Sequence, residues 1–162
     1  MIDRIVALDP GGTTGWAMVT YEDGKEPQYN CGMFRALEHH KELYDALGMW
    51  QTESYRIVCE SFEYRNASRP GLVLSSVEYI GVMKLFCQER NVPYHFQSAS
   101  QGKIRDKPNA FVKPSNLKRL GLWSPSMVHA MDAYGHLLYY TIHNDPARKI
   151  EAAALLLKGW KD

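Results

Sequence analysis

The chain has 162 residues, 45% of them apolar and 23% charged, with a net charge of +1. Such a length can bury a sizeable core in one domain, and these fractions belong to ordinary globular proteins rather than disordered or fibrous ones. No apolar run is long enough to span a bilayer, and the Met1-Ile2-Asp3-Arg4 start leads straight into an apolar stretch without the pattern of a secretory leader. Cys31, Cys59 and Cys87 are widely spaced and form no C-x-x-C pair, which points to free thiols in a cytoplasmic setting rather than a disulfide framework or zinc site. The expectation is one domain over 1–162.

Taken in order, residues 4–9 form an apolar run ending in Asp9, followed by Pro-Gly-Gly-Thr-Thr-Gly. This predicts a buried strand and a tight turn. Residues 15–21 predict a second strand, 22–27 a turn and 29–34 a third strand, together an antiparallel meander. Leu43, Ala46, Leu47 and Trp50 recur at helical spacing over 38–52. Residues 56–60 form a fourth strand that also ends in an acid, Glu60. Residues 66–71 break the chain. A long helix is expected over 72–90, with Leu72, Val73, Ser76, Ile80, Met83, Phe86 and Cys87 on its apolar side, before a stop at Asn91-Val-Pro and a fifth strand over 94–97.

Residues 103–114 read as a basic, proline-containing connection. Ser124-Pro125 predicts a helix start, with Ser124 as N-cap and Pro125 in the first turn. That helix carries His129, Asp132 and His136 to about His143. Asp145-Pro146 opens a last helix bearing Ile150, Ala153, Ala154 and Leu157. The order β-β-β-α-β-α-β-α-α implies an α/β fold: a mixed five-stranded sheet, its last two strands added by helical crossovers, with helices on its faces.

The chemistry-bearing residues gather in this scheme. Asp9 before Pro-Gly could by itself be a turn-forming Asp. Glu60, set in Val-Cys-Glu-Ser-Phe, is harder to explain that way, because apolar runs rarely bury an unpaired carboxylate. If the first and fourth strands are parallel neighbours, the two acids meet at one sheet edge, where their repulsion invites a cation of the magnesium type. His129 and Asp132, three apart, share a helix face, and His136 falls on the same stripe. A lone His129 is more often structural than a ligand; the convergence of all these groups is the argument for a site. Basic residues cluster as well. Lys103, Arg105, Lys107, Lys113, Lys118 and Arg119 face a single acid, Asp106, between 101 and 120. That run is either a phosphate-binding segment or a solvated loop.

Ile5-Val-Ala-Leu-Asp-Pro-Gly-Gly-Thr-Thr-Gly-Trp-Ala17 resembles the first motif of RuvC-type Holliday junction resolvases, which belong to the RNase H-like (retroviral integrase) superfamily. Val58-Cys-Glu60 followed by aromatics resembles their second motif, and His129-Ala-Met-Asp-Ala133 their last. The shorter, proline-containing region before the last motif is similar to that of phage-encoded members, for which the compartment would be the host cytoplasm.

The resemblance implies an RNase H-like fold and an endonuclease cutting four-way DNA junctions by two-metal hydrolysis, leaving a 5′-phosphate and a 3′-hydroxyl. It implies two magnesium ions, with manganese as a substitute. Asp9 would bridge both, Glu60 and Asp132 would each hold one, and His129 would complete a shell or orient water. Lys103 stands where the first of the family's two lysines falls, and Lys113 or Lys118 where the second falls. Phe62 and Tyr64 are candidates for stacking on opened bases, or edge-of-core residues. Arg65, Arg69, Lys103, Arg105, Lys107, Lys113 and Lys118 are candidate phosphate contacts. The helix over 72–90 would build a homodimer matching a two-fold symmetric junction.

Other readings differ in class. The first motif is also similar to the phosphate loop of sugar kinases and actin-like ATPases, but the second domain and further loops those enzymes need are missing from the sequence. A nuclease of flaps, forks, three-way junctions or RNA–DNA hybrids would use the same ligands. A junction-binding protein without catalysis is the third reading, and the presence of every acidic position argues against it.

Overall fold

The structure, a computed structural model, describes residues 1–36, 38–62, 74–105 and 111–158. The continuous apolar run that opens the chain becomes β1 (Ile2–Asp9), the central strand of a five-stranded sheet ordered β3-β2-β1-β4-β5. Its position explains its composition: Ile5 and Ala7 face one core while Val6 and Leu8 face the other, so neither side meets water. β2 (Thr14–Glu22) pairs antiparallel with β1, placing Gly15 opposite Asp9, and β3 (Gln28–Phe34) completes the meander. β4 (Ser54–Glu60) lies parallel to β1 with Cys59 opposite Leu8, and β5 (Tyr94–Gln97) lies parallel to β4 with Gln97 opposite Glu60.

Helices cover both faces. On one, α1 (His40–Trp50) and α2 (Ser75–Arg90) bury Leu43, Leu47, Tyr79, Met83 and Phe86 against Val6, Leu8 and Ile57. On the other, α5 (Val128–Asn144) buries Ala130, Met131, Ala133, Tyr134, Leu137 and Leu138 against Ile5, Ala7, Ala17 and Val58, with α6 (Lys149–Lys158) beside it. Full burial of each large aliphatic or aromatic side chain contributes about 1.5–3 kcal/mol. Cys31, Cys59 and Cys87 are free thiols, as expected. Among the described residues no helix is long and apolar enough to cross a membrane.

Helix boundaries depart from the sequence pattern where a local turn or a tertiary contact takes over a capping residue. The helix expected from Ser124 begins at Val128; Ser124 and Ser126 share a hydroxyl contact, and the Met127 N–H closes a turn onto the Ser124 carbonyl. α6 begins at Lys149 rather than at Asp145-Pro146, because the Asp145 carboxylate pairs with Arg56 at 3.1 Å instead of capping a helix. α2 begins at Ser75; Leu72 and Val73 lie outside the described residues. Its stop is as predicted, with Asn91 in the left-handed conformation (φ 52°).

Two short helices had no counterpart in the sequence pattern. α3 (Ala99–Gly102) is closed by the Gln101 side chain accepting the Ser98 N–H at 2.7 Å. α4 (Pro114–Arg119) is closed by Asn116 accepting the Lys113 N–H at 2.9 Å. Neither is long enough to show an apolar period.

Candidate active site

Asp9 ends β1 and Glu60 ends β4, and the parallel register between those strands brings both acids to the same sheet edge. Helix α5 crosses above this edge. It gets there because Gly15, opposite Asp9, has no side chain: a Cβ at that position would lie 2.1 Å from the carbonyl carbon and oxygen of His129. The first turn of α5 therefore rests on bare strand backbone, and His129 Nδ1 comes within 2.8 Å of Asp9 Oδ2. One turn further along, Asp132 accepts the Ile104 N–H at 3.1 Å. Lys103, in the loop after α3, sets its Nζ 3.4 Å from Glu60 Oε1. Asp9, Glu60, His129, Asp132 and Lys103, all singled out in the sequence, thus share one site.

The electrostatics follow from crowding three acids in a half-buried place. Burial raises the Asp9 carboxyl above the ordinary carboxylate range; the His129 hydrogen bond opposes this and the Glu60 charge adds to it. Burial likewise raises Asp132, helped by the charge of Asp9. Glu60 ends below its usual value: burial pushes it up, but the His136 hydrogen bond and the Lys103 ammonium outweigh that. His129 is raised, chiefly by its hydrogen bond to Asp9. Lys103 is the cation that acts on all three acids.

Oxygen donors held close, with Asp9 and Asp132 unwilling to ionise together, are a donor set that suits a hard divalent cation. Asp9, Glu60 and Asp132 could hold such an ion, with His129 beside them. As arranged, no three His, Cys, Asp or Glu side chains among the described residues form a ready-made single-ion shell. The acids are instead held by His129, His136 and the Ile104 amide.

Beside Glu60 an open cavity of about 200 Å³ is lined by Pro10, Ser61, Phe62, Ser76 and Lys103 among others. Phe62 is 37% exposed there. Arg105 is exposed two residues beyond Lys103, and Lys113 is half-buried before α4. Lys118 lies exposed on α4 with its Nζ 5.9 Å from the Trp123 ring centre. Tyr64, Arg65, Arg69 and Lys107 lie outside the described residues.

Several residues at the site had not been assigned a role from sequence. The Thr14 hydroxyl spans the turn after Asp9, accepting the Gly11 N–H at 3.3 Å, and buried His39 meets that hydroxyl at 2.7 Å. His136 meets Glu60 at 2.9 Å and Gln97 at 2.7 Å. A signal for His136 existed in its place on the stripe of His129 and Asp132. The His39–Thr14 and Gln97–His136 contacts had none, since these partners are remote in sequence.

No protein-family profile and no curated protein matches the sequence. Solved structures do. A structure of RuvC from Thermus thermophilus is similar at a TM-score of 0.57 and 15% identity, over 86% of this chain and 95% of that one. A structure of T. thermophilus RuvC in complex with a Holliday junction substrate is similar at a TM-score of 0.55 and 15% identity, over 90% of this chain and 98% of that one. The mixed five-stranded sheet with helices on both faces, expected from the order of elements, is the fold of RuvC.

Proposed function

We propose that the chain is a divalent-metal-dependent, structure-selective DNA endonuclease that cuts four-way junctions and leaves a 5′-phosphate and a 3′-hydroxyl. The observation that carries this reading is the placing of Asp9 and Glu60 at one sheet edge of a RuvC fold, with Asp132 of α5 near enough to feel both charges. Similarity to a protein solved with a Holliday junction supports branched DNA as the substrate.

In this reading Asp9, Glu60 and Asp132 hold magnesium, or manganese in its place. The bound metal supplies positive charge and a water of lowered pKa. The chain's own groups do the rest. His129 orients Asp9 through its 2.8 Å hydrogen bond and can take or give a proton at the exposed side of the site. Lys103, next to Glu60, offsets the charge that builds on the phosphate as it is attacked. Phe62 offers a ring at the rim of the adjoining cavity, where an unpaired base could stack, and Arg105, Lys113 and Lys118 add phosphate contacts.

A second copy of the chain would complete the enzyme. Val77, Gly81 and Leu85 recur every four residues along α2 and are exposed, a face suited to pairing with itself about a two-fold axis. Two paired sites match the two cuts a four-way junction needs.

The test is cleavage of four-way, three-way, flap, fork and RNA–DNA hybrid substrates with magnesium, run beside Asp9→Asn. Preference for the four-way junction, lost in the variant, is the expected result. Preference for another branch or hybrid would keep the chemistry and change the substrate. Tight junction binding without cleavage in either metal would assign a binding protein instead.

A further inference from the structure

The ring of His136 is fully buried, yet both its nitrogens are engaged. Nε2 lies 2.9 Å from Glu60 Oε2 and Nδ1 lies 2.7 Å from the side-chain amide of Gln97. Gln97 ends β5 and is the register partner of Glu60, so the imidazole bridges two adjacent strand ends from α5. Glycines make room for it. A Cβ on Gly102 would sit 2.2 Å from His136 Cγ and Nδ1, and a Cβ on Gly135 would sit 1.7 Å from the Gly102 carbonyl oxygen. α3 therefore lies backbone to backbone on α5, and the residue that follows it is Lys103, 3.4 Å from Glu60 Oε1. His136 and Lys103 grip opposite oxygens of one carboxylate.

The hydrogen positions follow from what each group can do. A carboxylate only accepts, so the ring proton facing Glu60 is on Nε2. In the neutral ring that leaves Nδ1 an acceptor, which needs a donor. Gln97 supplies one when its amide nitrogen, rather than its oxygen, faces the ring. With the oxygen on the ring, Gln97 Nε2 is a buried donor without a hydrogen-bond partner; turning the amide gives that N–H the ring nitrogen as acceptor and leaves the amide oxygen in its former place.

We propose that Gln97 and His136 form a buried relay, Gln97 Nε2–H to His136 Nδ1 and His136 Nε2–H to Glu60 Oε2, which makes His136 a positioning residue that fixes the Glu60 carboxylate for a divalent cation. This rests on the metal-site reading above. An outer hydrogen-bond partner of this kind spares a ligand the entropy of being ordered when the ion arrives, and losing one typically weakens metal binding about 10–100-fold.

Binding of Mn²⁺ to the DNA-free protein, followed by the electron paramagnetic resonance of the free ion, reads this without any cleavage assay. His136→Leu fills the space but removes the N–H, and is expected to weaken Mn²⁺ binding about 10–100-fold. His136→Gln, whose amide nitrogen can reach the place of Nε2, is expected to recover most of that loss. In the wild type, long-range proton–nitrogen correlations are expected to show His136 protonated on Nε2 and bare on Nδ1, a readout that needs no variant to fold. Wild-type Mn²⁺ affinity in folded His136→Leu, no recovery in His136→Gln, or a ring that carries a proton on Nδ1 overturns the relay. In those cases Asp9→Asn still weakens Mn²⁺ binding and the metal site stands. If the wild type itself binds no Mn²⁺, the metal-site reading falls and the relay's role with it.

Discussion

His129 and Asp9 are 120 residues apart and 2.8 Å from contact-forming atom to atom, Nδ1 to Oδ2. The bond holds the imidazolium form of His129 above its ordinary range, and the Asp9 charge adds to this. A raised histidine pKa contributes stability that is fully present below the unfolded value near 6.5 and is lost as pH rises through the folded value. In metal-free protein, nuclear magnetic resonance is expected to place the His129 titration above about 6.5. Asp9→Asn should bring it down. An unchanged titration in that variant would mean the bond does not form in solution.

Asp9→Asn is also the decisive change for activity. On the proposed reading, in which Asp9 holds metal at the reacting phosphate, its removal should forfeit several kcal/mol of transition-state stabilisation, a rate loss of at least about a thousandfold. Junction binding, if it rests on the proposed Lys and Arg contacts to phosphates, should change little in a gel-shift assay.

Asp132→Asn should stabilise the metal-free protein at neutral pH. The amide oxygen can still accept the Ile104 N–H, while the variant no longer carries a charge that burial and Asp9 oppose. For a carboxyl raised in the folded state, the penalty is full above the folded pKa and vanishes below the unfolded value near 3.9. The gain in melting temperature should therefore be present at pH 7 and fade toward pH 4. With Asp132 a ligand, as proposed, magnesium should narrow it by stabilising the wild type and not the variant.

Gly15→Ala tests how α5 reaches the site. The added methyl would meet the His129 carbonyl at 2.1 Å and the Ala130 nitrogen at 2.6 Å, all backbone that cannot swing aside. Overpacking of this kind costs about 1–3 kcal/mol, or roughly 2–4 °C of melting temperature per kcal/mol in a chain of this size. Cleavage should fall as well, since lifting the first turn of α5 pulls His129 from Asp9.

Arg56→Met tests the opposite end of the sheet. Arg56 donates through Nη2 to both oxygens of Asp3 at 2.8 Å, and its Nη1 pairs with Asp145 at 3.1 Å. Both acids are buried; Asp3 would keep the Ser54 hydroxyl at 2.7 Å and the more distant Arg148 at 3.8 Å. Removing the cation that two buried carboxylates share should cost about 3–5 kcal/mol by denaturant melts. Cleavage per folded molecule should be unchanged, because no residue of the network touches the site.

The strands were legible in the sequence because each is local: β1 and β4 are apolar runs closed by an acid, and the meander is punctuated by its own turn residues. Asp9, Glu60 and the His129–Asp132 face were legible for the same reason, as acids in apolar surroundings at strand ends or at helical spacing. Helix starts at Val128 and Lys149 were not, because a capping Ser or Asp can be drawn into another contact, as Asp145 is by Arg56. Nor were the partners of the site, Gln97 on Glu60's neighbouring strand and Thr14 with His39, whose roles arise only from strand register and packing. By itself the sequence determined the sheet's strands and which acids could meet. Tertiary structure alone decided which atoms hold those acids. Hydrogen bonds such as His129 to Asp9 depend on a helix descending onto a glycine 114 residues earlier in the chain, and no local pattern encodes that approach.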